Sequence, residues 1–91
     1  MILCYLAIPQ KGTRELVKID DKGNGKEVID NIFENLEIYE QSRSGILVSV
    51  KKKGIVNPEL SLYKQGMRNG DTLIFIFLEQ KEIINANYGG V

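Results

Sequence analysis

Ninety-one residues with one cysteine and no histidine allow one small core and remove most of the side-chain chemistry that enzymes use. A chain of this length buries enough apolar surface for a single domain and too little for two. Twelve basic residues balance twelve acidic ones, so no overall field draws the chain to nucleic acid or to an anionic membrane, and a charged partner must read a local patch.

The lone Cys4 has no internal disulfide partner. Without histidine there is neither a structural zinc set nor a His-based general base or nucleophile triad, so we expect no catalysis, no metal and no cofactor. Met1 to Ile8 lacks a basic n-region and stops at Pro9, which suits neither an export signal nor an anchor and points to the cytoplasm. In that reducing compartment Cys4, set in an apolar run, reads as a small buried hydrophobe.

Ile2 to Ile8 is apolar on both alternating faces and reads as a first strand, ended by Pro9, which has no N–H to give a ladder. Gln10 to Thr13 supplies a turn, and Arg14 to Ile19 a second, more polar strand suited to a sheet edge. Asp20 to Gly25 is a loop. Its Asp20, Asp21 and Asn24 lack the alternating ligands and closing glutamate of a calcium loop, so it reads as a solvated turn. Val28, Ile29, Ile32, Phe33 and Leu36 then fall on one helical stripe, with Lys26, Glu27, Asp30, Asn31 and Glu34 on the wet side.

Tyr39 to Ser44 is a polar connection. In the third strand, Gly45 to Val50, the β-branched set Ile46, Val48 and Val50 is expected on the core face. Leu47, Ser49 and Lys51 then lie on the side the single helix leaves open. This makes Leu47, with the basic turn Lys51, Lys52 and Lys53 beside it, the candidate partner-binding surface. Ile55-Val56 is a very short fourth strand, and Leu60, Leu62, Tyr63 and Met67 pin a long loop to the core. After the turn signal Asn69-Gly70, Asp71 to Leu78 is apolar on both faces and is expected to be the central strand, covered on both sides and lying beside the first. The organisation is a domain over 1–78 and a flexible tail over 79–91.

Strand, hairpin, strand, helix, strand, short strand, pinned loop and a last strand beside the first is an α+β order that resembles the ubiquitin-like β-grasp proteins along nearly the whole chain. The expected architecture is a mixed four- to five-stranded sheet with one packed helix. The run Leu62-Tyr63-Lys64-Gln65-Gly66-Met67-Arg68-Asn69-Gly70-Asp71-Thr72-Leu73 is similar to the loop that leads into the last strand of that family. Its Asn69-Gly70-Asp71-Thr72-Leu73 also resembles bacterial YukD-type proteins. The segment Tyr88-Gly89-Gly90-Val91 resembles the precursor end of a conjugated modifier. That resemblance implies cleavage before Val91 by a JAB-type or other processing peptidase, activation of Gly90 as an acyl-adenylate and thioester by an E1-like enzyme, and transfer through an E2-like protein. Gly89 would give access to a narrow channel, and Tyr88 would contact the processing or activating enzyme. Here Glu79 to Tyr88 separate the diglycine from the last strand, and Tyr88 stands where ubiquitin has arginine. The YukD likeness implies a different use, a noncovalent adaptor of a bacterial secretion system; both uses stay open at the level of sequence, and in either the domain is expected to be a monomer.

Overall fold

The computed structural model describes residues 1–35 and 44–78. Two strands open it, β1 (Ile2–Ile8) and β2 (Thr13–Ile19), joined through a 3-10 turn at Pro9–Lys11. Gly12 closes that turn in the left-handed region, at φ 65°, a conformation glycine adopts without a Cβ penalty. There follow α1 (Gly25–Asn35), β3 (Gly45–Ser49), β4 (Gly54–Ile55) and β5 (Thr72–Phe77). Leu36, most of the expected connection after it and the tail 79–91 lie outside the described residues.

The sheet runs β2-β1-β5-β3-β4. β5 is central and pairs in parallel with β1, Leu6 opposite Leu73, and antiparallel with β3, Leu47 opposite Phe75. Two side-chain amides lengthen the parallel ladder. Asn69 Oδ1 accepts from the Leu3 N–H at 2.9 Å, and at the other end Gln10 accepts from the Phe77 N–H at 2.9 Å while its amide nitrogen donates to the Phe77 carbonyl.

α1 packs one face on the sheet. Its start is fixed by Asn24, whose side-chain oxygen accepts from the Glu27 N–H at 2.9 Å, as an N-cap residue does. The first free N–H groups of the helix are taken by the loop before β5: Gly25 donates to the Leu60 carbonyl at 3.2 Å and Lys26 to that of Pro58 at 2.9 Å. A Cβ on Gly25 would stand 2.9 Å from Pro58 Cα, so this approach requires glycine. Val28, Ile29, Ile32 and Phe33 are buried, as the stripe requires. Each contributes about 2 kcal/mol of gross transfer energy before the entropy of ordering is subtracted. The Phe33 ring meets Phe75 edge-on at 5.4 Å and Phe77 at 6.2 Å between centroids.

Three expectations are corrected. First, β3 faces the other way. Leu47 and Ser49 are buried, at 0% and 1% exposure, while Ile46 is exposed, Val48 half-buried, and Val50 exposed just past the strand end. Opposed residues of an antiparallel pair share a face, and Leu47 opposite Phe75 with Ser49 opposite Leu73 puts both on the helix side. Second, β5 is central but covered on one side among the described residues: Leu73, Phe75 and Phe77 are buried, Ile74 is half-buried, and Ile76 and Leu78 are exposed. Third, of the loop pegs Leu62 and Met67 reach the core, whereas Leu60 and Tyr63 stay exposed. Arg68 covers the Tyr63 ring, its guanidinium carbon 3.9 Å from the centroid.

Candidate functional site

The sheet side opposite α1 carries the candidate site. Alternation along the strands places Leu3, Tyr5 and Ala7 of β1, Leu16 of β2, Ile46 and Val48 of β3, Ile55 of β4 and Ile74 and Ile76 of β5 on this side. The registers join them into a band: Ile55 is opposite Val48, Val48 opposite Ile74, Ile74 beside Ala7, and Ile46 opposite Ile76. Tyr5 faces Leu16 across the hairpin. Leu3, Tyr5, Leu16, Ile46 and Ile76 are each more than a third exposed. Among the described residues this is a contiguous, largely uncovered apolar face, the kind of feature that makes a candidate binding surface.

Among the described residues, the strand charge on this face has one sign. Arg14 and Lys18 of β2 are its charged strand residues. The Arg14 guanidinium carbon sits 4.1 Å from the centroid of the Tyr5 ring, a cation–π contact worth roughly 0.5–1 kcal/mol at an exposed site. At the β3 end the exposed turn Lys51, Lys52 and Lys53 adds three more cations.

That turn is held from inside. Asp71, 1% exposed, accepts from the Lys51 N–H at 3.0 Å, from the Thr72 N–H at 2.7 Å and from the Ser49 hydroxyl. Ser49 Oγ in turn accepts from the Lys52 N–H at 3.1 Å. Lys53 is left at φ 57°, a left-handed conformation that costs a non-glycine residue about 1 kcal/mol or more. The structure therefore spends a buried carboxylate and local strain on fixing a turn of three lysines.

Of the residues singled out from sequence, Lys51, Lys52 and Lys53 lie beside the exposed band. Leu47 does not: it is fully buried, and the apolar residues on the open face are its neighbours Ile46, exposed, and Val48, half-buried. Tyr88, Gly89, Gly90 and Val91 lie outside the described residues. Ile74 and Ile76 are readable as apolar positions of β5, but their place on the open face follows from one helix covering one of the two sheet faces among the described residues.

Two other groups have shifted protonation equilibria. Burial pushes the Cys4 thiol up from its ordinary value, and the nearby Asp71 carboxylate adds to the effect, so the thiolate that would act as a nucleophile is disfavoured. The Met1 ammonium, 3.0 Å from Asp21, holds that carboxyl below the ordinary aspartate value, chiefly by hydrogen bonding.

Among solved structures the chain is similar to a computationally designed protein based on the template of human erythrocytic ubiquitin, with a TM-score of 0.67, 18% identity, and coverage of 88% of this chain and 95% of the other. It is similar to the ubiquitin of Caldiarchaeum subterraneum at a TM-score of 0.67 and 11% identity, over 85% of this chain and 92% of that one. A de novo protein based on ubiquitin matches at a TM-score of 0.62 and 15% identity, over 81% and 84%. No family model and no curated protein matches the sequence. At such identities the similarity establishes the fold, which is the ubiquitin-like β-grasp.

Proposed function

We propose that this ubiquitin-like β-grasp chain is a protein modifier, recognised through the open sheet face and joined to target proteins through Gly90. The observation that carries the reading is the open band of Ile46, Val48, Ile74 and Ile76, of which Ile46 and Ile76 are exposed, with only basic charge among the described residues of its face and rim. Such a band fits a partner whose apolar side chains are ringed by carboxylates, the apolar core giving affinity and the charges orientation and on-rate. The Lys51 to Lys53 turn supplies the basic end of that footprint.

Attachment rests on Gly89-Gly90-Val91. A JAB-type or other peptidase hydrolyses the bond before Val91. The freed Gly90 carboxylate attacks the α-phosphate of ATP on an E1-like enzyme, releasing pyrophosphate. A cysteine thiolate then displaces AMP to form a thioester, which passes to an E2-like protein. Two glycines suit this because side chains would obstruct a channel that must bring the carboxylate within bonding distance. Tyr88, next to the diglycine in the sequence, would contact those enzymes, and the cytoplasm would supply their ATP. The chain itself catalyses none of these steps.

A second reading, a noncovalent adaptor of a secretion system, draws on the same face, since docking there does not need Gly90. One experiment separates the two. Incubated with its cognate processing peptidase, E1-like and E2-like proteins, the chain should lose Val91 by intact mass and then form an ATP-dependent, reductant-sensitive thioester. Gly90→Ala should abolish the thioester while leaving partner capture intact, and Ile76→Asp should cost at least tenfold in capture with the fold unchanged by circular dichroism. If Gly90→Ala retains full cellular activity while Ile76→Asp loses it, the adaptor reading replaces the modifier.

A further inference from the structure

Asn-Gly occurs twice in the chain, at Asn24-Gly25 and at Asn69-Gly70. Asparagine is least durable in this dipeptide, because a following residue without a Cβ lets its backbone nitrogen swing onto the side-chain carboxamide. In both places the fold occupies the groups that would react. Gly25 N–H donates to the Leu60 carbonyl at 3.2 Å, and Asn24 Oδ1 accepts from the Glu27 N–H at 2.9 Å. At the second site one residue does both: Gly70 N–H donates to the Leu3 carbonyl at 2.8 Å, and Asn69 Oδ1 accepts from the Leu3 N–H at 2.9 Å. The two sites differ in what covers them. Gly25 is buried against Pro58 at the start of α1, whereas Asn69, Gly70 and Leu3 are all exposed, and the opening residues of β1 alone hold the second site shut.

We propose that Asn69 is a deamidation site of the folded chain, gated by the first residues of β1. The Gly70 nitrogen bonds to Asn69 Cγ, the bond from Cγ to the side-chain nitrogen breaks, and that nitrogen leaves as ammonia, taking the Gly70 proton. Water then opens the cyclic imide. Cleavage between Cγ and the Gly70 nitrogen gives aspartate, and cleavage at the former backbone carbonyl gives isoaspartate, whose backbone is longer by a methylene. Water is the only co-reactant. Attack requires the nitrogen to approach Cγ to about 3–3.5 Å and to shed its proton. While Gly70 N–H is bonded to Leu3 the proton stays, and turning the carboxamide toward the nitrogen breaks its own bond to Leu3. The reaction therefore runs from a locally opened form in which β1 has left Asn69, at a rate that follows the population of that form. Ile2, buried and opposite Ile19, seats this end of the strand.

The new carboxylate stands beside Leu3 of the open face, next in the chain to Gly70, where an added Cβ would be 3.4 Å from Lys51 Nζ. Deamidation thus sets a negative charge into the basic rim and weakens its preference for acidic partners. Aspartate can still accept from the Leu3 N–H, whereas isoaspartate carries Gly70 N–H away from the Leu3 carbonyl.

The chemistry uses neither Gly90 nor a partner, so it stands or falls apart from the modifier reading. The full chain is held at one temperature in mildly alkaline buffer, with and without guanidinium chloride, and deamidation at each asparagine is followed by mass spectrometry of its peptides. Denatured, Asn24 and Asn69 should react at similar rates. Folded, Asn69 should react at least tenfold more slowly than in denaturant and still at least fivefold faster than Asn24. Ile2→Ala should raise the folded Asn69 rate at least threefold with Asn24 unchanged. Should that variant unfold, Asn24 accelerates as well, and the comparison within the unmodified chain decides alone. The proposal is overturned if the folded chain loses Asn24 as fast as Asn69, or if Asn69 reacts as fast folded as denatured. It is equally overturned if folded Asn69 gives no product over a period in which the denatured site is consumed, or if a folded Ile2→Ala chain reacts at the original rate.

Discussion

Asp71 shows how one residue can decide the orientation of a strand. Its carboxylate is buried against Ser49, Lys51 and Thr72, and the hydrogen bonds it accepts offset the desolvation that would otherwise exclude it. The same contacts let a serine occupy the core face of β3. From sequence alone the β-branched trio Ile46, Val48 and Val50 outweighs Leu47 and Ser49, because a polar residue on a buried face is normally a contradiction. The resolution sits more than twenty positions away, at a residue that otherwise reads as part of a turn. Asp71→Ala should therefore cost about 3 kcal/mol, the range for buried donors deprived of their acceptor, and Asp71→Asn less, since one acceptor oxygen remains. Urea unfolding with an unchanged m-value checks this, and a loss under about 1 kcal/mol would show that water replaces the carboxylate.

At the scale of the element, α1 was legible and β3 was not, for related reasons. A helix declares its buried face by several residues at a period of 3.6, and no single substitution reverses Val28, Ile29, Ile32 and Phe33. A five-residue strand has two or three residues on each face, so one unpartnered-looking serine is enough to invert the reading. The candidate site inherits that inversion: the sequence pattern puts Leu47 on the open face, and the structure has Ile46, one residue away, there instead. Phe33 carries the largest apolar surface of the helix and packs its ring against Phe75 and Phe77. Phe33→Ala should destabilise by roughly 3–5 kcal/mol. If the unfolding free energy changed by under about 1 kcal/mol, the helix would not be seated on those rings.

Across the whole molecule the order of the sheet brings the first and last described strands together at its centre, a pairing that the apolar runs of β1 and β5 made readable before any coordinates. Protection should follow that order. Amides of β1, β5 and β3 that bond within the sheet should exchange slowest, near the global unfolding limit. The outward-facing amides of β2, and those of the two-residue β4, should open at a small fraction of that free energy. Hydrogen exchange at residue resolution reads this directly, and uniform protection across all five strands would contradict it. The parallel β1–β5 pair also bears on how the molecule answers force. A pull applied at Met1 and at the end of β5 draws two adjacent strands past one another along a common axis, so their ladder resists as a whole, whereas a hairpin drawn open from its ends gives way bond by bond. The Asn69 and Gln10 amides add resistance at the two extremities of that ladder. Traction on the last strand thus meets the strongest part of the described fold first, and a pull from that end is borne by the two central strands before any other pair yields.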